Sequence, residues 1–298
     1  MFDMGHQIQD DARLEKLPVF YTPRMVANFE SFSPSAGKPA QVVASWMDRR
    51  LPIRIMEPSP ATIEDLKRTH SPAYVEGILA GEIKNGFGNT LQEVAATLPY
   101  TVGAMLSAAR EAVRNGQIAV APCSGFHHAG YDQPFGYCTF NGLMVTSLSL
   151  KHEGLATRIG ILDFDMHYGD GTEDLIQHHQ ASSWIRHYTA GSEYAEAAQA
   201  KAFISRIPAL VRSMQDCQII LYQAGADPHI NDPLGGFLTT EQIRLRDGLV
   251  FKTAKECGVP IAWDLAGGYQ VDAEGGIGPI LEIHDNTMRE CVEVYIRH

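Results

Sequence analysis

Ile159-Gly-Ile-Leu-Asp163-Phe-Asp165-Met-His167-Tyr-Gly169-Asp170-Gly171-Thr172 is the stretch whose reading decides the fold. It begins as a β-branched, apolar run, the composition of a strand buried on both faces of a parallel sheet. It ends in three carboxylates and an imidazole, with Gly169 and Gly171 as turn residues and a helical pattern from about Thr172. Ligands of open α/β sheets sit in the crevice outside the carboxyl ends of the strands. Asp163 and Asp165 share one face of an extended segment, and His167 joins them if the strand conformation persists that far. Two carboxylates and a histidine crowded at a strand end are costly without a cation, so a bound metal is the simplest expectation.

Outward from this stretch the chain alternates. Strands are predicted over Gln117–Pro122, Arg158–Phe164, Ser183–Tyr188, Gln218–Gln223 and Pro260–Leu265. Helices are predicted over Asn141–His152, from Thr172 to about His179, over Ala195–Met214 with a kink or break at Pro208, and over Thr240–Glu256. A Gly-rich turn at Gly276 leads into a closing helix. Upstream, Thr62-x-x-Asp65 resembles a capping box, Pro72–Leu79 has helical spacing, and Leu91–Val113 is a long Ala-rich helix interrupted by Pro99 and ended by Asn115-Gly116. Residues 1–60, with seven prolines, read as loops around a short helix, and long loops often border a site. This cadence predicts an α/β protein: a single domain over 1–298, a three-layer α/β/α sandwich around a central parallel sheet.

Composition narrows the partners. Of 298 residues 45% are hydrophobic and 20% charged, ordinary for a globular protein, and the formal charge of −11 with no Lys/Arg cluster argues against nucleic acid. The five cysteines are widely spaced and form no Cys-x-x-Cys pair, which suits a reducing compartment. The polar, acidic start does not read as a targeting segment, and no apolar run approaches the roughly 18 residues of a membrane span. A cytoplasmic protein is the expectation.

Four strands are followed at once by unusual residues: Cys123-Ser-Gly-Phe-His127-His128-Ala and then Pro134-Phe-Gly136-Tyr137-Cys138; the opening stretch; Ala224-Gly-Ala-Asp227-Pro-His229-Ile-Asn-Asp232-Pro-Leu-Gly-Gly236; and Ala266-Gly267-Gly268-Tyr269. On a parallel sheet all four groups converge on one edge. Any one of these residues alone reads as readily as a helix cap, a turn or a solvated loop residue. Adjacent histidines would project oppositely along a strand. The joint occurrence favours a site: two Asp and one His supply three ligands and leave positions open, the pattern of a catalytic zinc.

In order and spacing these motifs, with Thr69-His-Ser-Pro-Ala-Tyr-Val, resemble the signature series of the zinc-dependent histone deacetylases and their bacterial relatives, in the arginase/deacetylase superfamily. The resemblance runs from roughly residue 60 to residue 285. It implies that Asp165, His167 and Asp227 bind one Zn²⁺, that His128 is the main general base and later acid, and that His127 adds a hydrogen bond and positive charge. It implies that Asp163 and Asp170 orient His127 and His128, that Tyr269 donates to the oxyanion, and that Gly136 and Tyr137 line the acyl-lysine tunnel. Asp163 also matches a ligand of a structural K⁺ site using main-chain carbonyls of Asp165 and His167. The implied substrate is an acylated amine. Tyr168 stands where many members carry a second histidine, Phe126 and Gly130 differ from the common neighbours of the His pair, and the Gly/Pro-rich loop usual after His187-Tyr188 is absent. The second tunnel wall is thus unassigned: the pocket is wider, or it is completed by the N-terminal loops or by a second subunit of a homo-oligomer. Acetylpolyamine hydrolysis, a two-manganese ureohydrolase and an acyl-binding module without catalysis are the rival readings. The ureohydrolase pattern fits poorly, because His167 to Asp170 is one residue too long and position 229 is His. The intact His128 and Tyr269 weigh against a binding module.

Overall fold

The computed structural model describes residues 14–297; the acidic start of the chain, read above for targeting signals, lies outside the described residues. Strands β1 (Leu17–Phe20), β2 (Ile53–Met56), β3 (Ile118–Val120), β4 (Ile159–Asp163), β5 (Ile185–Thr189), β6 (Ile219–Gln223) and β7 (Ile261–Asp264) form one sheet in the order β2-β1-β3-β7-β6-β4-β5. Every pairing is parallel, β4 running in register between β5 and β6. The four strands whose ends drew attention, β3, β7, β6 and β4, are thus neighbours at the centre of the sheet, and their C-terminal loops share one edge.

The helices are α1 (Lys38–Asp48), α2 (Ile63–Thr69), α3 (Pro72–Ala80), α4 (Gln92–Asn115), α5 (Gly142–His152), α6 (Asp170–His178), α7 (Ala200–Arg212), α8 (Thr240–Cys257) and α9 (Gly278–Val292). They cover both faces. Leu162, Ile220, Tyr222, Ile261 and Trp263 enter one apolar layer with α1, α7, α8 and α9. Their strand neighbours Ile161, Ile219, Leu221 and Ala262 enter the other with α2 to α6. Period-two alternation with apolar residues on both sides is what a doubly covered strand requires. The expected three-layer α/β/α fold with its parallel sheet is the one observed.

Local signals hold at several boundaries. Thr62 and Asp65 form a reciprocal capping box, and Gly116 ends α4 in the left-handed conformation. Three expectations need correction. Pro99 and Pro208 lie inside continuous helices α4 and α7, because tertiary packing outweighs the loss of one hydrogen bond. Residues 1–60 are not merely loops around a helix: β1 and β2 add two strands to the five foreseen. Each has only four residues, too short for periodicity to register, and β1 contains Pro18.

Candidate active site

β4 stops at Asp163, and the strand conformation does not carry through to His167. The Asp163 carboxylate takes over instead: Oδ1 accepts from the Asp165 amide (3.0 Å) and from Gln223 Nε2 (3.4 Å). Asp165 Oδ1 then accepts from the His167 amide (3.0 Å). Two successive side-chain turns of this kind replace the ladder that has ended. They point Asp165 and His167 toward the loop after β6, where Asp227 Oδ1 accepts from the Met166 amide (3.2 Å). The amide of Gly267, after β7, donates to Asp165 Oδ2 (3.0 Å). Two glycines permit this convergence. A Cβ on Gly225 would lie 2.8 Å from both Asp165 Cα and Asp227 Oδ1, and one on Gly267 would overlap the Asp227 carboxylate.

Asp165, His167 and Asp227 therefore offer three ligand atoms within 4.8 Å of one another. His167 Nδ1 lies 3.1 Å from Asp165 Oδ1 and 3.0 Å from Asp227 Oδ2. Both aspartates are fully buried or nearly so. Burial, then the neighbouring Asp165 charge, pushes Asp227 up to about 7. Burial also works against the Asp165 charge, but His127 and His167 outweigh it and hold that carboxyl low. Two oxygens and one imidazole nitrogen converging in a desolvated spot suit a divalent metal ion, whose charge would stand in for the imidazole proton that otherwise compensates the carboxylates.

The histidine pair stands beside this cluster. The loop after β3 turns sharply through Gly125 (φ 101°) and Phe126 (φ 95°), so His127 and His128 do not project oppositely as on a strand. Their ring centroids are 4.0 Å apart. His127 donates from Nδ1 to Asp163 Oδ2 (2.7 Å), and its Nε2 is 3.6 Å from Asp165 Oδ1. His128 donates from Nδ1 to Asp170 Oδ1 (2.6 Å) at the start of α6. The two dyads differ in setting. Asp163 is fully buried, whereas the Asp170 side chain is 49% exposed. Burial disfavours a charged His127, but Asp163 and Asp165 prevail and raise it to about 9. His128 is lowered by burial and by the His127 charge.

Around the pair, Gly136 (φ 52°) leaves room for the His128 ring, which a Cβ there would strike. Tyr137, itself left-handed (φ 66°), walls a cavity with Ser35, His127, Asp165, Gly267 and Tyr269. The Tyr137 and Tyr269 rings are 5.7 Å apart, and the Tyr269 amide donates to Asp232 Oδ2 (2.8 Å). His229, also in the Asp227 loop, accepts from the Asn231 amide and pairs with Thr240 Oγ1, away from the carboxylates. The turn after β5 packs on the main chain of His167 through Gly191. Tyr194 beyond it is buried against Phe237 rather than lining the cavity. Tyr168 is on the surface.

Several residues at the site carried no sequence signal. Phe32, 60% exposed, stacks on Tyr269 at 6.0 Å. Lys38, fully buried, donates to the carbonyls of Ala266 (2.5 Å) and Gly267 (3.1 Å). Asp264 ends β7 with neither carboxylate oxygen partnered among the described residues, and burial pushes its pKa well up. Phe135 lies edge-on to His128 at 5.4 Å. A roomier surface groove between α8 and the C-terminal helix, lined by Leu245, Leu249 and Val294, shares no residue with the carboxylate–imidazole cluster.

The histone deacetylase domain family matches residues 37–194, more than half of the chain and the part holding both histidines and β4. The chain belongs to this family. A probable deacetylase of Methanothermobacter thermautotrophicus is 24% identical over 284 residues, covering 83% of this chain and 84% of that one. The chloroplastic histone deacetylase 10 of Oryza sativa subsp. japonica is 26% identical over 270 residues, 74% of this chain and 60% of that one. The crystal structure of the HDA15 HD domain superposes with a TM-score of 0.74 over 95% of this chain and 90% of that chain, at 15% identity, a likeness of fold. Membership makes the chain a deacetylase-type hydrolase acting on an acylated substrate. Among the described residues no helix is long and apolar enough to cross a membrane.

Proposed function

We propose that this deacetylase hydrolyses the linear amide of an acylated amine, an acetyl- or acyl-lysine, at one zinc ion held by Asp165, His167 and Asp227. The observation that carries the reading is the three-ligand cluster placed directly beside the histidine pair. Zinc bound there would polarise the amide carbonyl and acidify a water. His128, with Nδ1 committed to Asp170, keeps Nε2 free to take the proton of the attacking water and pass it to the leaving amine. His127, held by Asp163, contributes a hydrogen bond and positive charge from the buried side. The Tyr269 hydroxyl, at the cavity wall, donates to the carbonyl oxygen as it gains negative charge. Gly136 and Tyr137 bound the acyl group's path.

A structural potassium ion at Asp163 belongs to the same reading. Three hydrogen bonds already reach that carboxylate, so the ion would draw chiefly on the main-chain carbonyls of Asp165 and His167. Replacing potassium by sodium is expected to change the rate.

One observation favours a second substrate class. Among the described residues the cavity wall has none from 189–194, which leaves acetylpolyamines or other small amides as the second class to test. A panel of acetyl-lysine peptides, longer acyl-lysines and acetylpolyamines, assayed with and without chelator and paired with metal analysis, tests both. Chelator-sensitive turnover with one zinc per chain is expected. No metal, or two manganese ions per chain, would overturn the reading.

A further inference from the structure

Arg246 is buried without exposed surface in the second turn of α8, next to an equally buried Asp247. Its Nε donates to Asp247 Oδ1 (2.7 Å). Its Nη1 reaches out of the helix to two main-chain carbonyls, Gly225 O (2.8 Å) and Phe164 O (3.1 Å). These carbonyls lie just past the ends of β6 and β4. Phe164 directly precedes Asp165, and Gly225 stands two residues before Asp227. One guanidinium nitrogen thus ties together the two backbone segments that carry the carboxylate ligands. Asp247 is itself fixed, by the Tyr222 hydroxyl from β6 and by Thr287 Oγ1 from α9 (2.6 Å). The fork is therefore anchored to the sheet and to a second helix.

Burying an arginine is expensive, and a pair that served only to dock α8 could be replaced by apolar residues at little cost. The two carbonyl contacts are what an apolar pair would not supply. Both carbonyls sit where the β-ladder has ended, and a planar donor of fixed shape can reach them while still facing Asp247.

We propose that Arg246 is a positioning residue that sets the separation of Asp165 and Asp227, and through it the affinity of the site for its metal. This rests on the reading that Asp165, His167 and Asp227 hold a metal ion. Charge alone predicts the opposite sign: removing a cation near two carboxylates would tighten a bound dication. Arg246→Lys keeps the charge and isolates the geometry, because one ammonium cannot hold Asp247 and both carbonyls as the planar fork does.

The test compares wild type with Arg246→Lys by zinc competition against a chromophoric chelator and by hydrogen exchange of metal-stripped protein. The expected result is zinc affinity at least tenfold weaker in Arg246→Lys, with faster exchange confined to the segments 164–168 and 225–229. Zinc affinity within twofold of wild type, or exchange raised evenly across the sheet, overturns the proposal. If Arg246→Lys does not fold, Asp247→Asn, which releases the fork from its anchor, is read by the same two criteria. If wild type itself binds no zinc, the reading of the metal site fails. The exchange pattern then decides the positioning role on its own: local loosening supports it, and its absence overturns it.

Discussion

His127 and His128 are consecutive residues with separate carboxylate partners, and the roles proposed for them divide along that line. Asp170 is half exposed and, among the described residues, its side chain holds His128 and the Gly171 amide, so its loss should disturb the proposed general base and little else. Asp170→Asn is expected to lower kcat/KM by about 10²- to 10⁴-fold with zinc content unchanged, the range for disabling or misorienting a general-base imidazole. Asp227→Ala removes a ligand and is expected to abolish both zinc binding and turnover, which metal analysis beside a rate assay separates from the first case. Tyr269→Phe tests the third role: kcat should fall about 10²- to 10³-fold, the cost of one oxyanion donor, with substrate binding retained. An unchanged kcat would remove Tyr269 from the chemistry. That these residues come together was legible in the sequence because short motifs fix their spacing at strand ends. The means of convergence was not legible, since it lies in side-chain turns and a left-handed Phe126 that spacing does not encode.

Among the elements, five of the seven strands and the helix ends at Thr62 and Gly116 could be read because apolar runs and capping residues are local. What escaped lies between residues 14 and 60. β1 and β2 are too short to show periodicity, and α1 begins with a lysine that looks like a surface residue. Lys38 instead passes under the loop after β7 and holds the Ala266 and Gly267 carbonyls. Burial lowers its pKa to about 8, with Asp227, Asp165 and Asp264 pulling the other way. Below pH 8 the folded and unfolded chains both carry this proton, so it contributes no slope. Between pH 8 and the usual lysine value near 10.4 the unfolded chain binds more protons, so stability rises with pH. Relative to Lys38→Met, metal-stripped wild type should therefore gain about 1 kcal/mol per pH unit across that window. Urea denaturation of both proteins at pH 7, 8, 9 and 10 measures it, and parallel curves would refute the assignment.

For the molecule as a whole, the central four strands β3, β7, β6 and β4 are the rigid frame, and the site is where that frame stores cost. The metal-stripped protein must bury Asp165 and Asp227 side by side, hydrogen-bonded to each other and to His167. Asp227→Asn keeps the acceptor for the Met166 amide and removes one charge of the pair, and its amide nitrogen replaces the oxygen that faces His167 Nδ1, which must then accept in its other tautomer. It therefore relieves the repulsion while spoiling the ligand set. Stability and function should part company: without metal, Asp227→Asn is expected to melt at or above the wild-type temperature. Zinc at 100 times its dissociation constant would add about 2.7 kcal/mol to wild type, on the order of 5 °C or more in Tm, and nothing to the variant. Calorimetry of both proteins, stripped and zinc-loaded, reads all four values. A stripped Asp227→Asn that melts several degrees below stripped wild type would mean that the pair of carboxylates stabilises the frame, and the case for a carboxylate pair that costs stability until a metal binds would fall.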